Sequence, residues 1–414
     1  MRKTRILLAA LVAMAAAVGA YAEDVRTLVL FKRGTRSADR AAEIQSYGGR
    51  ILRNFAAVDI TLANFPQEAA RAIYTRTRSN PNTRVWRVEK DTYRHWLNDS
   101  TYATVPSAKA VLENLKTAER PVYTAPVAAA KATRYYRASD NSEMPWGIVR
   151  VNAPAAWPVT DGHGVKVGII DTGIDLTHPD LAANIAGGYN ATNPKLSPAD
   201  DHGHGTHVAG TIAAVYDSKG VVGVAPKASL YAVKALDRNG SGNVSDIVAA
   251  IDWAVQNHMQ VVNMSLGSPQ ESEAIAQAVL AAYNNGVTVV CAAGNDSGAV
   301  NYPAAGKGAL AISASNISDK IAYFSSRGPQ IKFIAPGVDI YSTIPNGYEK
   351  MDGTSMASPH VAGLAALAVG AGAANPDMVL AMLKGAATPL PGLDADEQGF
   401  GMIDAAKIKA ARRR

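Results

Sequence analysis

The feature that most constrains the fold is an alternation of short apolar runs with helical stretches from residue 138 onward. Strands that alternate with helices predict a parallel sheet with helices on both faces. We expect buried strands at 165–171, 229–235, 261–265, 287–293 and 309–314. The helical periodicity falls at 204–214, 244–257 and 271–285.

The chain before this region has a different pattern. Residues 23–96 predict a small α+β domain. Its strands are expected at 28–32, within 51–62 (one or two strands) and at 84–88, and its helices at 37–47 and 67–77. Residues 97–137 are rich in Ala, Thr, Pro and Lys, which predicts a linker that holds at most one short helix, at 108–118.

The first 22 residues have the composition of a secretory signal peptide. Arg2, Lys3 and Arg5 form a basic start, an apolar run follows, and Ala20-Tyr21-Ala22 fits a cleavage site. A transmembrane anchor is the alternative, but the apolar run is shorter than the ~20 residues that cross a bilayer. We therefore expect a secreted protein, extracellular or periplasmic, without a membrane anchor.

Charge is distributed unevenly along the chain. Residues 23–137 carry +9, whereas residues 138–414 carry −6. This split predicts attraction between the leading part and the main domain, and it argues against a nucleic-acid partner.

Cys291 is the single cysteine, so neither an intramolecular disulfide nor a CxxC zinc site is possible. We expect a monomer.

Three short segments hold the side chains that a serine nucleophile needs. Asp171 ends a predicted strand, and His204 and Ser355 each begin a predicted helix. A hydroxyl is a weak nucleophile, so an imidazole must accept its proton and a buried carboxylate must orient that imidazole. Each segment alone is typical of a cap or a turn. Together they predict a catalytic triad. The segments are DTGID at 171–175, HGTHVAG at 204–210 and GTSMASP at 353–359.

These segments are similar to those of the subtilase family of serine endopeptidases, whose triad has the same order. The similarity covers most of residues 141–408, including HPDL at 178–181, GVAP at 223–226, NMSLG at 263–267, AAGN at 292–295 and FSS at 324–326. The resemblance implies a subtilisin-like three-layer α/β fold with a mostly parallel sheet. It also implies a protease that hydrolyses peptide bonds in proteins or peptides through an acyl-enzyme.

The resemblance assigns roles to individual residues. Ser355 would be the nucleophile, His204 the general base and acid, and Asp171 the orienting carboxylate. Asn295 would donate its amide to the oxyanion together with the backbone N–H of Ser355. His207, in the same motif as His204, would be a packed helical histidine.

The resemblance also implies a substrate-binding groove. Its walls would come from Ser265, Leu266 and Gly267, and from Ala292 to Gly294, with Asn301 near the pocket floor. Because no charged residue closes this pocket, we expect an apolar or aromatic side chain before the scissile bond. His202 would border the next subsite. The bond between Tyr302 and Pro303 resembles a position where the family has a cis peptide.

Calcium is the cofactor that the resemblance implies. Oxygen ligands suit this hard cation, and an ordinary surface loop without metal is the alternative. The family's glutamine near the mature amino terminus corresponds here to Ser142, which is shorter; Asp140 or Asn141 is the substitute. The expected ligands are the carboxylates of Asp180 and Asp217 and the backbone carbonyls of Val215, Lys219 and Val221.

Residues 23–96 resemble the inhibitory and chaperoning pro-domain of the same family, of ferredoxin-like fold. This predicts an autoprocessed zymogen that is inhibited by its own pro-domain. The usual cleavage point would follow Trp96, but the segment that resembles a mature start lies near Asn141. The catalytic domain is predicted at 138–414, and the mature amino terminus stays open between these two positions.

Four other functions fit the sequence less well. A metal hydrolase would use His202, His204 and His207, but HExxH is absent and the glycine-rich spacing suits fixed coordination poorly. A non-enzymatic subtilase-like binding module would need a broken triad or oxyanion hole. The glycines at 162 and 164 precede a strand, which excludes a dinucleotide-binding turn. The segment at 353–357 lacks the second glycine of the nucleophile elbow in α/β-hydrolase esterases.

Overall fold

The computed structural model describes residues 24–79, 83–97 and 143–410. This chain divides into two compact units, with the boundary between Asp91 and Thr92. The predicted signal peptide at 1–22 and the predicted helix at 108–118 lie outside the described residues, as do Asp140, Asn141 and Ser142.

The first unit is a four-stranded antiparallel sheet with two helices, in the βαββαβ order of a ferredoxin-like fold. Across the sheet the strands lie in the order 50–55, 60–65, 25–31 and 85–90, and the core of the unit includes Phe31, Ile44, Phe65 and Ile73. The predicted strand region 51–62 is two strands, because a short 3₁₀ turn and the left-handed Asp59 break it. The elements are β1 (Val25–Phe31), α1 (Ser37–Ser46), β2 (Arg50–Phe55), β3 (Ile60–Phe65), α2 (Gln67–Ser79) and β4 (Val85–Lys90).

The second unit alternates strands and helices along most of its length. Its strands are β5 (Tyr93–His95), β6 (Lys166–Asp171), β7 (Ile185–Asn190), β8 (Ser229–Lys234), β9 (Ser241–Asn243), β10 (Val261–Met264), β11 (Thr288–Ala292), β12 (Ala309–Ser315), β13 (Ile331–Pro336), β14 (Ile340–Ile344), β15 (Gly347–Met351), β16 (Ala387–Thr388) and β17 (Met402–Ile403). Its helices are α3 (Trp146–Arg150), α4 (His204–Ala213), α5 (Val244–Gln256), α6 (Glu273–Asn284), α7 (Thr354–Gly370), α8 (Pro376–Ala386) and α9 (Ala395–Gln398).

Nine strands of the described chain form one sheet in the order β16-β17-β13-β12-β11-β10-β6-β8-β7. Every neighbouring pair is parallel except β16 with β17, as the sequence pattern predicted. The interior strands β10, β11 and β12 are buried along their whole length because helices cover the sheet. Helix α4 packs on α7, α5 packs on α6, and α7 lies against β10 to β13. The fold is therefore a mixed α/β fold with a mostly parallel sheet.

Helix α7 is the central element of the second unit. Residues 354–368 are all buried, and Pro359 lies inside the helix. A helix that is apolar all round is typical of a protein core. In the described part of the chain, no helix is both long enough and apolar enough to span a bilayer.

Candidate active site

Asp171 and His204 meet at one edge of the parallel sheet. Asp171 is the last residue of β6, and His204 is the first residue of α4. The His204 Nδ1 lies 2.7 Å from the Asp171 Oδ1, and both side chains are buried. The start of α4 comes so close to the chain after β6 that residue 205 must be glycine, because a Cβ there would lie 2.1 Å from the Gly173 carbonyl oxygen. A buried carboxylate therefore orients this imidazole.

Ser355 stands in the first turn of α7, with its side chain close to the loop after β10. Its hydroxyl donates to the Ser265 carbonyl at 3.2 Å, and the Ser265 hydroxyl donates to the Ser355 carbonyl at 2.7 Å. Ser355 is 9% exposed, which leaves the hydroxyl at the rim of the core. The first N–H groups of a helix have no acceptor within that helix, so this end of α7 attracts negative charge.

Asn295 follows β11 and reaches the same helix end. Its Oδ1 accepts from the N–H and the hydroxyl of Thr354. A Cβ built on Gly353 would lie 3.4 Å from both the Asn295 Nδ2 and the Ser355 backbone nitrogen. The two nitrogens thus border one position next to Gly353.

The predicted wall residues lie at the end of β11, at Ala292, and on the loops that follow β10 and β11. Leu266 and Ala292 are almost fully buried, and Gly267 offers its N–H to the groove. Gly294 has φ +115°, and a Cβ there would lie 2.5 Å from the Asn301 Nδ2. The Asn301 side chain is 2% exposed, and its Nδ2 has no hydrogen-bond partner among the described residues. The following peptide, between Tyr302 and Pro303, is cis.

The segment Thr92–Leu97 lies in a groove of the second unit as an extended strand. Its strand β5 pairs antiparallel with β9. On one side the Trp96 N–H donates to the Gly240 carbonyl, and on the other the Gly267 N–H donates to the Trp96 carbonyl, both at 3.0 Å. The Trp96 indole is 1% exposed, and its Nε1 donates to the Gly242 carbonyl at 2.9 Å. This groove thus makes backbone hydrogen bonds to both edges of an extended peptide segment.

The other histidines of the region have separate environments. His202 stacks edge-on against His204 with the ring centres 6.3 Å apart. His207 is fully buried, and its Nε2–H donates to the carbonyl oxygens of Ile340 and Glu349. Burial, with a smaller contribution from the nearby His204, lowers the pKa of His207 to about 3. His207 is therefore a neutral structural residue that ties α4 to the β14–β15 hairpin.

The predicted calcium ligands lie around the loop 215–221. Asp180 is buried, and its Oδ2 accepts from the Val221 N–H at 2.9 Å. The Asp217 Oδ1 accepts from the Lys219 N–H at 3.1 Å, and Glu143 accepts from the Asp217 N–H at 2.7 Å. Within residues 24–79, 83–97 and 143–410, no three His, Cys, Asp or Glu side chains cluster closely enough to hold a metal ion.

Comparison with known proteins decides the family. The profile of the subtilase family matches residues 162–402, more than half of the chain. The chain belongs to the subtilase family. Over 227 residues it is 52% identical both to M-protease of Shouchella clausii (strain KSM-K16) and to Subtilisin Savinase of Lederbergia lenta. Subtilisin E of Bacillus subtilis (strain 168) is 49% identical over 232 residues.

These matches cover only part of each chain. Each takes in 54% of this chain, and 59%, 83% and 60% of the three subtilase relatives in the order given. The first and third relatives are thus matched over less than two thirds of their length. The site residues from Asp171 to Ser355 all lie inside the region that the family profile matches.

Sequence reasoning missed several groups of this subtilase site. Thr354 holds the Asn295 amide, and Asp200 accepts hydrogen bonds from both sides of His204. Glu143 reaches the loop where calcium was predicted. A sequence signal existed only for Asp200, which stands four residues before His204 in a loop that ends in a helix start.

Proposed function

We propose that this protein is a serine endopeptidase that hydrolyses peptide bonds in proteins through an acyl-enzyme. The observation that carries the proposal is the 2.7 Å contact between the His204 Nδ1 and the Asp171 Oδ1, with Ser355 at the start of α7. A buried aspartate in this position holds the Nδ1–H tautomer, which leaves the Nε2 lone pair for a serine hydroxyl.

Ser355 performs the covalent step. Its Oγ attacks the carbonyl carbon of the scissile bond while the His204 Nε2 takes the hydroxyl proton. His204 then gives that proton to the departing amine as the C–N bond breaks, and an acyl ester on Ser355 remains. In the second half of the reaction, a water molecule attacks the ester carbonyl while His204 takes its proton. His204 then returns this proton to the Ser355 Oγ as the acid product leaves. Asp171 stabilises the imidazolium in both halves.

Asn295 and the backbone N–H of Ser355 stabilise the tetrahedral intermediate. Both nitrogens border the same position, and the N-terminal end of α7 adds its favourable field to the developing negative charge. Donors that are already in place cost no reorganisation at the moment of reaction.

The substrate binds as an extended strand between β9 and residues 265–267. Supporting this, Thr92–Leu97 already makes these backbone contacts. Ser265, Leu266, Gly267, Ala292 and Gly294 line the pocket for the residue before the cut, with Asn301 at its floor and His202 beside the next subsite. No charged side chain is among them, so an apolar or aromatic residue is preferred.

The leading domain is the inhibitor and folding assistant of the protease. Because Thr92–Leu97 occupies the peptide groove, residues 23–96 act as a zymogen leader that autoprocessing removes, after Trp96 or near Asn141. Residues 1–22 direct export. The mature protein works outside the cytoplasm as a monomer, with proteins and peptides as its partners and no nucleic acid.

Structural calcium binds at the loop 215–221. The carboxylates of Asp180 and Asp217 would hold the ion together with the carbonyl oxygens of Val215, Lys219 and Val221, an all-oxygen ligand set of the kind that suits calcium. Bound calcium would neutralise the acidic side chains here and stabilise the fold. The catalytic residues need no metal for any step.

The proposal is tested with Ser355→Ala and with the exposed Ser318→Ala as its matched control. Casein hydrolysis, labelling by a fluorophosphonate probe and the intact mass are measured after expression of the full chain. We expect hydrolysis, labelling and trimming in the wild type and in Ser318→Ala, and none in Ser355→Ala. Hydrolysis by Ser355→Ala would overturn the proposal. A folded wild type without hydrolysis or labelling would indicate a non-enzymatic member of the family.

A further inference from the structure

A single carboxylate contacts the chain on both sides of His204. The Asp200 Oδ1 accepts from the N–H groups of His202 and Gly203, both at 3.0 Å. Its Oδ2 accepts from the N–H of Thr206 at 2.9 Å and from the Thr206 hydroxyl. Burial alone would raise the pKa of Asp200, but these donors hold it below its ordinary value. Asp200 is thus an anion that fixes the first turn of α4.

Thr172 connects this carboxylate to the catalytic strand. Its hydroxyl donates to the Asp200 Oδ1 at 2.8 Å and accepts from the Gly205 N–H at 2.9 Å. Its own N–H donates at 2.7 Å to the Asp171 Oδ1, the same oxygen that His204 contacts. The Thr172 side chain is fully buried, so water cannot replace these bonds.

Lys234 holds Thr172 from a third direction. Its Nζ donates to the Thr172 carbonyl and to the Asp201 Oδ1, both at 2.6 Å. The N–H, the hydroxyl and the carbonyl of Thr172 are therefore all engaged. The residue has little freedom to shift, and neither does the Asp171 carboxylate that it orients.

We propose that Thr172 and Asp200 are positioning residues that keep the Asp171 carboxylate and the His204 ring in their hydrogen-bonded arrangement during the reaction. This inference rests on the serine endopeptidase activity proposed above. Their observed contacts are with the chain around His204 and Asp171. They join the end of β6 to the start of α4, and small misplacements of catalytic groups cost roughly 10²-fold in rate.

The test compares Thr172→Val, which keeps the shape and removes the hydroxyl, with Thr172→Ser, which restores it. We expect Thr172→Val to lower kcat about 10- to 100-fold. Its KM should stay within about twofold, because uniform substrate binding is untouched. Thr172→Ser should recover most of kcat. A Thr172→Val enzyme with wild-type kcat, or one in which only KM changes, would overturn the proposal.

Asp200→Asn tests the other partner, and Asp161→Asn is its matched control because Asp161 pairs with Lys227 away from the site. Loss of the anion beside His204 should lower the pKa of the imidazolium, so the acidic limb of the kcat/KM profile moves to lower pH in Asp200→Asn and not in Asp161→Asn. An unmoved limb together with unchanged kcat would contradict the role of Asp200.

A readout without turnover separates this inference from the proposed activity. In the Ser355→Ala background, the His204 Nδ1 proton shared with Asp171 should give a downfield ¹H NMR resonance. Thr172→Val should shift or broaden that resonance, whereas Thr172→Ser should preserve it. A resonance identical in all three proteins would refute the positioning role, even if the wild type proved inactive. Thermal unfolding of each variant confirms that it is folded.

Discussion

The side-chain oxygen of Asn295 accepts two hydrogen bonds from Thr354, at 2.9 Å from its N–H and 2.8 Å from its hydroxyl. An amide carries its acceptor and its donors on opposite arms. Thr354 therefore fixes the orientation of the Nδ2, which borders the same position as the Ser355 backbone nitrogen. Thr354, the residue before the proposed nucleophile, thus aims the amide that we propose as the second donor of the oxyanion hole.

Asn295→Asp separates the two functions of this amide. The aspartate keeps an acceptor for Thr354, removes the Nδ2 donor and places negative charge beside the oxyanion. We expect kcat to fall by at least roughly 10²- to 10³-fold, with KM changed by less than about threefold. Steady-state hydrolysis of a chromogenic peptide measures both constants. The exposed Asn193→Asp should leave both unchanged, and a wild-type kcat in Asn295→Asp would show that another group stabilises the intermediate.

Asp171→Asn should reduce kcat by about 10⁴-fold, the loss known for the corresponding change in a serine protease with such a triad. The Asp171 Oδ1 accepts from both His204 and Thr172. An amide in its place would present N–H to the imidazole and favour the wrong tautomer. Asp161→Asn is the control, and the measurement is kcat for an amide substrate. A loss of less than tenfold would mean that the tautomer is set by another group.

Two buried histidines predict that the fold weakens in acid. Burial lowers the pKa of His207 to about 3 and that of His360 to about 4. Both lie below the ordinary value near 6.5, so between these limits the unfolded chain binds protons that the folded chain does not. The contribution of these two histidines to the free energy of unfolding is fully present above about pH 6.5. It is lost as the pH falls toward 4 and then 3, by up to ~1.4 kcal/mol per pH unit for each histidine.

His207→Gln isolates one of these contributions. Urea unfolding from pH 7.5 to pH 4, in the Ser355→Ala background that prevents self-digestion, should show a shallower loss of stability with acid than the parent. The variant should also be less stable at pH 7.5, because the bonds to Ile340 and Glu349 are weakened. The exposed His163→Gln should keep the parent slope. An unchanged slope in His207→Gln would mean that folding does not lower the pKa of His207.

The places of Asp171, His204 and Ser355 in the fold were predictable because each residue stands at a local signal, a strand end or a helix start. The supports around these residues were not, because they join segments far apart in sequence. Thr172 meets Asp200 across 28 residues, and Lys234 reaches Thr172 across 62 residues. No periodicity marks such pairs. The burial of Trp96 likewise follows from packing in the second unit rather than from the apolar pattern of its own short segment.

Calcium should stabilise the protein, and chelation should destabilise it. Thermal unfolding of Ser355→Ala should shift upward with added calcium and downward with EGTA, since a ligand that binds only the folded state at 100 times its Kd adds about 2.7 kcal/mol. Asp217→Asn should reduce the shift, whereas Asp161→Asn should not. The absence of any shift would remove calcium from the proposal, and a loss of activity reversed by zinc alone would favour a metal hydrolase.

A peptide with the sequence of Thr92–Leu97 should inhibit the processed protease competitively, because this segment already fills the peptide groove. The Trp96 indole of this segment is 1% exposed, and its Nε1 donates to the Gly242 carbonyl. The change Trp96→Ala in the peptide removes this burial, so we expect the inhibition constant to rise by at least about tenfold. The change Tyr93→Phe, at an exposed position, should alter the constant less. Equal inhibition by the parent peptide and its Trp96→Ala variant would show that the backbone contacts with Gly240 and Gly267 carry the affinity.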